Sequence, residues 1–158
     1  MTLFILNVFL AVSWASLIGS FTLANCVIGF TVGYVALWIG SPFYRESTYF
    51  RRVIRVIRLL LLFLYELVVS SLQVVWDVIT PSHLSRPGVI AMPLDAKRDE
   101  EILLVANLIS LTPGTLSLDV SEDRSTLYVH GMFIDDPDAL RRELKEGMER
   151  SVMEAMEK

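Results

Sequence analysis

The sequence predicts a membrane α-helical hairpin plus an amphipathic helix, followed by a small α+β domain of order strand-helix-strand-strand-helix. Three observations predict it. The first forty residues contain no Asp, Glu, Lys, Arg or His. Between Phe50 and Thr80 the polar side chains gather on one helical face, and after Pro81 the chain turns to short alternating runs separated by Pro, Gly and polar turns. Charge divides in the same way. Ser41 to Thr80 carries five arginines against three acids, whereas Pro81 to Lys158 carries nine basic and fifteen acidic residues, a local −6 within an overall −4. A length of 158 residues, 53% of them apolar, suits one membrane module and one small soluble domain. The division expected is 1–40 for the hairpin, 41–80 for a basic loop with the amphipathic helix, and 81–158 for the soluble domain.

A membrane-crossing helix needs roughly 20 apolar residues, with about 17 as a lower limit. The uncharged run is about twice that, so it suits two helices. Leu3 to Ile18 forms the first. Gly19, Ser20, Thr22 and Asn25 are the turn-favouring cluster inside the run, and Val27 to Ile39 forms the second helix before Ser41-Pro42. Gly29 and Gly33 make a GxxxG spacing that lets helices approach closely, as do Ala11, Ala15 and Ser16. Trp14 and Trp38 suit either interfacial anchoring or packing on a partner. Cys26 is the only cysteine, so the chain makes no internal disulfide, and an inert buried thiol is its expected state. The N-terminus lacks the basic start of a signal peptide and reads as retained.

Phe50 to Thr80 is apolar enough to be a third transmembrane helix, but its polar residues are not scattered. At about 100° per residue, Arg51, Arg55, Arg58, Glu66, Gln73, Asp77 and Thr80 fall on one face opposite Val, Ile, Leu and Phe. The segment therefore lies along the membrane interface with its arginines at headgroup level, or spans with Glu66 turned to a partner. Arg45, Arg51, Arg52, Arg55 and Arg58 orient the chain. With two spans they share the cytoplasmic side with the C-terminal domain by the positive-inside rule; with three spans that domain is exported. Two spans and an interfacial helix are the preferred reading.

In the soluble part, Val89 to Met92 reads as a strand and Lys97 to Ile109 as a helix with acids at its start and an apolar stripe of Ile102, Val105, Ala106 and Ile109. Thr112-Pro113-Gly114-Thr115 is a turn. Leu116, Leu118 and Val120 alternate with Ser117 and Asp119 as a half-buried strand would, and Leu127 and Val129 form its hairpin partner across Ser121 to Ser125. Asp136 caps a last helix that opens with Pro137 and repeats Leu140, Leu144, Met148 and Val152. Both helices are expected on one face of the sheet.

Little in the chain suggests catalysis. His83 and His130 are the only histidines, no HExxH or CxxC spacing occurs, and Ser110, Ser117 and Ser121 lack a GxSxG context. No phosphate loop, cofactor site or metal site is expected, and the basic block suits lipid headgroups rather than nucleic acid. Glu66 is the one residue with a sharper reading. A carboxylate among Leu62, Phe63, Leu64 and Leu67 either serves a proton or cation path, or simply faces water or pairs with Arg58 or a partner, and the plainer reading is preferred.

Leu108-Ile109-Ser110-Leu111-Thr112-Pro113-Gly114-Thr115-Leu116-Ser117 resembles the signature of the E subunits of the bacterial multisubunit Mrp-type Na⁺/H⁺ antiporters. Pro87-Gly88-Val89-Ile90-Ala91-Met92-Pro93 and Leu127-Tyr128-Val129-His130 match the flanking strands, and the apolar N-terminus, Arg51-Arg52 and the chain length agree. The resemblance implies a non-catalytic structural or assembly subunit of a hetero-oligomeric complex in the cytoplasmic membrane, which exports Na⁺ in exchange for H⁺ through its larger subunits. It also implies that Ser110, Thr112, Pro113, Gly114 and Thr115 are structural. The rival reading is a membrane-tethered binding or regulatory module that recruits a soluble partner through the C-terminal domain. A membrane-anchored enzyme is disfavoured.

Overall fold

The computed structural model describes residues 2–43, 48–81 and 85–157. It divides into two compact units, Met1–Val53 and Ile54–Lys158. The elements are α1 (Thr2–Ile18), α2 (Leu23–Ile39), a 3₁₀ turn (Ser41–Phe43), α3 (Thr48–Ile79), β1 (Gly88–Pro93), α4 (Asp99–Leu111), β2 (Thr115–Val120), β3 (Thr126–Gly131), α5 (Pro137–Glu143), a π-helical segment (Leu144–Glu149) and α6 (Arg150–Met156).

The first unit is the hairpin with the start of α3. Gly19 takes a φ of +71°, the left-handed conformation that only glycine adopts without strain, and closes the turn. The second helix begins four residues earlier than the apolar pattern suggested. Thr22 and Asn25, expected in the turn, are instead its N-cap and first-turn residues. The Asn25 amide N–H donates to Thr22 Oγ1 at 3.2 Å and its side chain to the Ser20 carbonyl at 2.9 Å, so both polar residues serve the helix end. A buried seam follows in which Gly29 of α2 lies against Ala11 and Trp14 of α1, and Gly33 against Asn7 and Leu10. Asn7, fully buried on α1, donates from Nδ2 to Tyr49 Oη at 2.8 Å, and the rings of Tyr34, Tyr49 and Phe50 stack edge-on around it. At 17 residues each, α1 and α2 measure about 26 Å. Among the described residues no helix is long and apolar enough to cross a membrane.

The second unit contains most of α3 and a three-stranded antiparallel sheet of order β1-β3-β2. Ile90 and Met92 of β1 and Leu127 and Val129 of β3 point to one face, where Ile102, Val105 and Ile109 of α4 and Met148, Val152 and Ala155 of the C-terminal helix close a single apolar core. Among the described residues nothing covers the opposite sheet face, where Val89, Leu116, Leu118 and Tyr128 are exposed. Here the expected phase of β2 is corrected. Leu116 and Leu118 lie on the open face, about half exposed, while Thr115 and Ser117 take the inner positions. A bulge between Ser117 and Asp119 then inserts one residue, so Val120 pairs with Leu127 and turns inward. Alternation alone put all three apolar residues on one face; the extra residue splits them.

The last helix carries a second irregularity. Its four-residue repeat drifts by about 40° per step on an ideal α-helix. The π segment at Leu144–Glu149 has a wider turn, which offsets that drift and keeps Met148 and Val152 in the core. α4 starts two residues later than expected, with Arg98 as N-cap and Glu101 reaching back to the Arg98 and Lys97 amides at 3.1 and 3.3 Å.

Candidate functional site: the signature turn and the cavity beside α3

The last turn of α4 ends in carbonyl oxygens that can take further donors. That of Ile109 already accepts from the Thr112 amide at 3.2 Å, and the signature hydroxyls add donors along this end of the helix. Thr112 Oγ1 donates to the Leu108 carbonyl at 3.0 Å, Thr115 Oγ1 to that of Ile109 at 2.7 Å, and Ser117 Oγ to that of Ala106 at 2.9 Å. Ser110 takes part from the other side, its Oγ accepting from the Ser117 amide at 3.0 Å. Pro113 lacks an amide N–H, and Gly114 takes a φ of +86° to reverse the chain. The Gly114 carbonyl accepts from the Met132 amide at 2.7 Å, which ties the turn to the end of β3. The result is a clasp that fastens α4 to β2, and its hydroxyls are already engaged. Thr115→Val keeps the shape and removes the hydroxyl donor to the Ile109 carbonyl, which still accepts from the Thr112 amide. The expected cost is about 0.5–1.5 kcal/mol, read as a lower melting temperature of the detergent-solubilised chain, with Thr115→Ser retaining most of the stability.

The clasp forms one wall of a cavity of about 150 Å³ in the second unit, closed by Leu62, Glu66, Ser70 and Gln73 of α3 and by Phe133, Leu140 and Glu143. Glu66 is half-buried there. Burial, and then the like charge of Glu143, push its carboxyl above the ordinary glutamate range. Among the described residues Glu66 forms no ion pair with Arg58 or any other cation. Its carboxylate therefore faces this cavity, on the side of α3 that carries the C-terminal unit.

The arginines separate by role. Arg45 and His83 lie outside the described residues. Arg55 is half-buried, donating from Nη1 to the Glu154 carbonyl at 3.1 Å and pairing with Glu157 at 2.8 Å. Arg51, Arg52 and Arg58 are exposed. Among the described residues no group of His, Cys, Asp and Glu is arranged to hold a metal ion.

One structural residue escaped the sequence. Glu149, 1% exposed, accepts from the Asp95 and Ala96 amides at 2.6 and 2.9 Å, with Lys145 Nζ 3.5 Å away. Its only signal is the Lys145–Glu149 spacing of four on a helix, which occurs on many solvated faces.

A helical hairpin, an amphipathic helix and a small α+β unit, with the signature hydroxyls engaged in structure, define the class: apolar helices joined to a small three-stranded α+β unit. The chain belongs to the family of Na⁺/H⁺ antiporter E subunits: residues 7–155 match the family model whose description is Na⁺/H⁺ ion antiporter subunit, the E-type member of that set by its relatives. It is 36% identical over 150 residues to the E subunit of the Na⁺/H⁺ antiporter of Alkalihalophilus pseudofirmus and 35% identical over 150 residues to that of Bacillus subtilis, covering 95% of both chains in each case. Among solved structures it resembles a chain of the Mrp complex from a Dietzia species, with a TM-score of 0.51 and 31% identity over 66% of this chain and 98% of that one. A chain of an archaeal membrane-bound sulfane sulfur reductase shares the fold, with a TM-score of 0.53 and 22% identity over 85% of this chain and 84% of that one.

Proposed function

We propose that this chain is a structural and assembly subunit of a multisubunit cation/proton antiporter that exports Na⁺ in exchange for H⁺. The observation that carries the reading is the polar inventory of the hairpin. Residues 1–40 hold no ionisable Asp, Glu, Lys, Arg or His, whereas an ion or proton path through a membrane uses such groups. The path therefore belongs to partner subunits, and this chain contributes packing. Two apolar helices of about 26 Å fall slightly short of a hydrocarbon core of about 30 Å. Embedding among partner helices, with local thinning of the bilayer, accommodates the shortfall. In this reading 1–40 is a two-span hairpin, 41–80 a basic loop and interfacial helix, and 81–158 a cytoplasmic domain under the bacterial cytoplasmic membrane. The partners are the other antiporter subunits and lipid; no cofactor, catalytic centre or nucleic acid takes part. In-frame deletion is expected to abolish Na⁺-dependent proton exchange in everted vesicles and to deplete other subunits from the affinity-purified complex. Full antiport and normal assembly without the chain would sink the proposal.

A second reading, a tethered module that recruits a soluble partner, is favoured by one observation. The open sheet face presents Val89, Leu116, Leu118 and Tyr128, all 40% exposed or more. It predicts that the full chain purifies with one soluble protein at fixed ratio and without polytopic subunits.

A further inference from the structure

We infer that α3 is not a span but a platform lying in an anionic lipid leaflet, with its apolar face among acyl chains and Arg52 and Arg58 on headgroup phosphates. The inference rests on the membrane-subunit reading and deepens it by naming where α3 sits and which lipids it takes.

Geometry excludes the alternative. The C-terminal unit is fastened to α3 at Arg55, through Glu157 and the Glu154 carbonyl, and again at Asp77, whose Oδ1 accepts from the Ser85 amide at 3.1 Å. Between these points Leu59 and Phe63 enter its core. Twenty-two residues of helix cover about 33 Å, more than the hydrocarbon thickness of about 30 Å. If α3 crossed the bilayer, a unit with nine basic and fifteen acidic residues would be drawn through the hydrocarbon beside it. Laid flat, the same contacts keep the unit on the aqueous side.

The remaining surface of α3 fits that placement. Ile57, Leu61, Val68, Leu72 and Val75 are each half exposed or more and form the centre of an uncovered apolar face. At the helical step this face is roughly 200° wide. Arg58 stands at one border of it, next to Tyr65 and Trp76, and Arg52 stands about 40° beyond Val56 at the other. Basic residues at both edges of an apolar face, with aromatic rings at the border, are the arrangement of a helix held at headgroup depth. No acidic residue occurs between Thr48 and Tyr65, so the basic half of the helix has a uniform sign. That selects anionic phosphate over zwitterionic headgroups. Arg55 is turned to the protein and is not part of this surface.

The test uses the whole antiporter complex in nanodiscs, free of other reactive cysteines, with Cys26→Ser. Leu61→Cys, Val68→Cys and Val75→Cys each carry a fluorophore, and quenching by lipids brominated at different chain depths gives the position of each label. All three are expected at the same shallow depth, with brominated phosphatidylglycerol quenching more than brominated phosphatidylcholine. An arginine at an anionic surface gives roughly a fivefold preference, so Arg52→Gln with Arg58→Gln lowers the phosphatidylglycerol preference by roughly 25-fold. A depth that changes steadily from Leu61 to Val75 would show a span and overturn the inference. Labels that no lipid quenches would overturn it in favour of a partner protein's apolar surface, as would a preference unaffected by the arginine changes. Antiport and subunit content are measured on the same samples, so failure of the platform is separable from failure of the subunit reading.

Discussion

Gly29→Leu is expected to separate the two helices of the hairpin and release the chain from its complex. A Cβ at Gly29 would stand 2.9 Å from the Ala11 carbonyl oxygen and 2.9 Å from Trp14 Cβ. The first of these is backbone, so no rotamer change relieves it, and the helices must move apart. Overpacking of this kind costs roughly 1–3 kcal/mol in well-packed interiors. If the hairpin lies in lipid, as proposed, little else opposes separation, because acyl chains solvate apolar side chains as well as a partner helix does. Gly33 is constrained from the other side, since a Cβ there would overlap Asn7 Oδ1, and Asn7 is held by Tyr49. The measurement is retention of the chain on affinity-purified complex, with antiport in everted vesicles. Val32→Leu, on the exposed side of α2, serves as the control and is expected to assemble normally. Equal retention of both variants would show that the close seam does not matter to assembly.

Glu149→Ala is expected to destabilise the C-terminal unit strongly. It removes the acceptor of the buried Ala96 amide and of the part-buried Asp95 amide, and it leaves Lys145 with Asp95 as its remaining carboxylate partner. Each buried donor left unsatisfied costs about 1–3 kcal/mol. The sum is a large part of the roughly 5–15 kcal/mol that holds a small domain folded. Glu149→Gln retains an acceptor oxygen and is expected to recover most of the loss. Hydrogen exchange on the full chain in detergent distinguishes this account from general loosening: the Asp95 and Ala96 amides lose protection first in Glu149→Ala and stay protected in Glu149→Gln. Unchanged protection at these two amides in the alanine variant would exclude Glu149 as the anchor of this loop.

These two residues differ in how visible they are in the sequence. Gly29 and Gly33 are visible as a GxxxG spacing in an uncharged run, a helix-packing signal that is weak by itself. Glu149 is not visible, because a glutamate four residues after a lysine is what a solvated helix also shows. The signature run lies between these cases. Its turn was legible from Pro113 and Gly114, but the donation of Thr112, Thr115 and Ser117 to the end of α4 depends on β2 folding back against that helix. Strand β2 shows the same limit. Leu116, Leu118 and Val120 alternate perfectly, yet one inserted residue sends the two leucines and the valine to opposite faces.

Local periodicity and charge thus determined the elements, their order and the split between an uncharged hairpin and an acidic α+β unit, since helix and strand periods are properties of neighbouring residues. Which side of α3 holds the protein was decided only in the tertiary structure. The sequence marks a polar face and an apolar face but not which one another part of the chain will cover. Arg55, Glu66 and Asp77 turn toward the C-terminal unit because Glu157, the cavity and the Ser85 amide, 8 to 102 residues further along the chain, supply their surroundings.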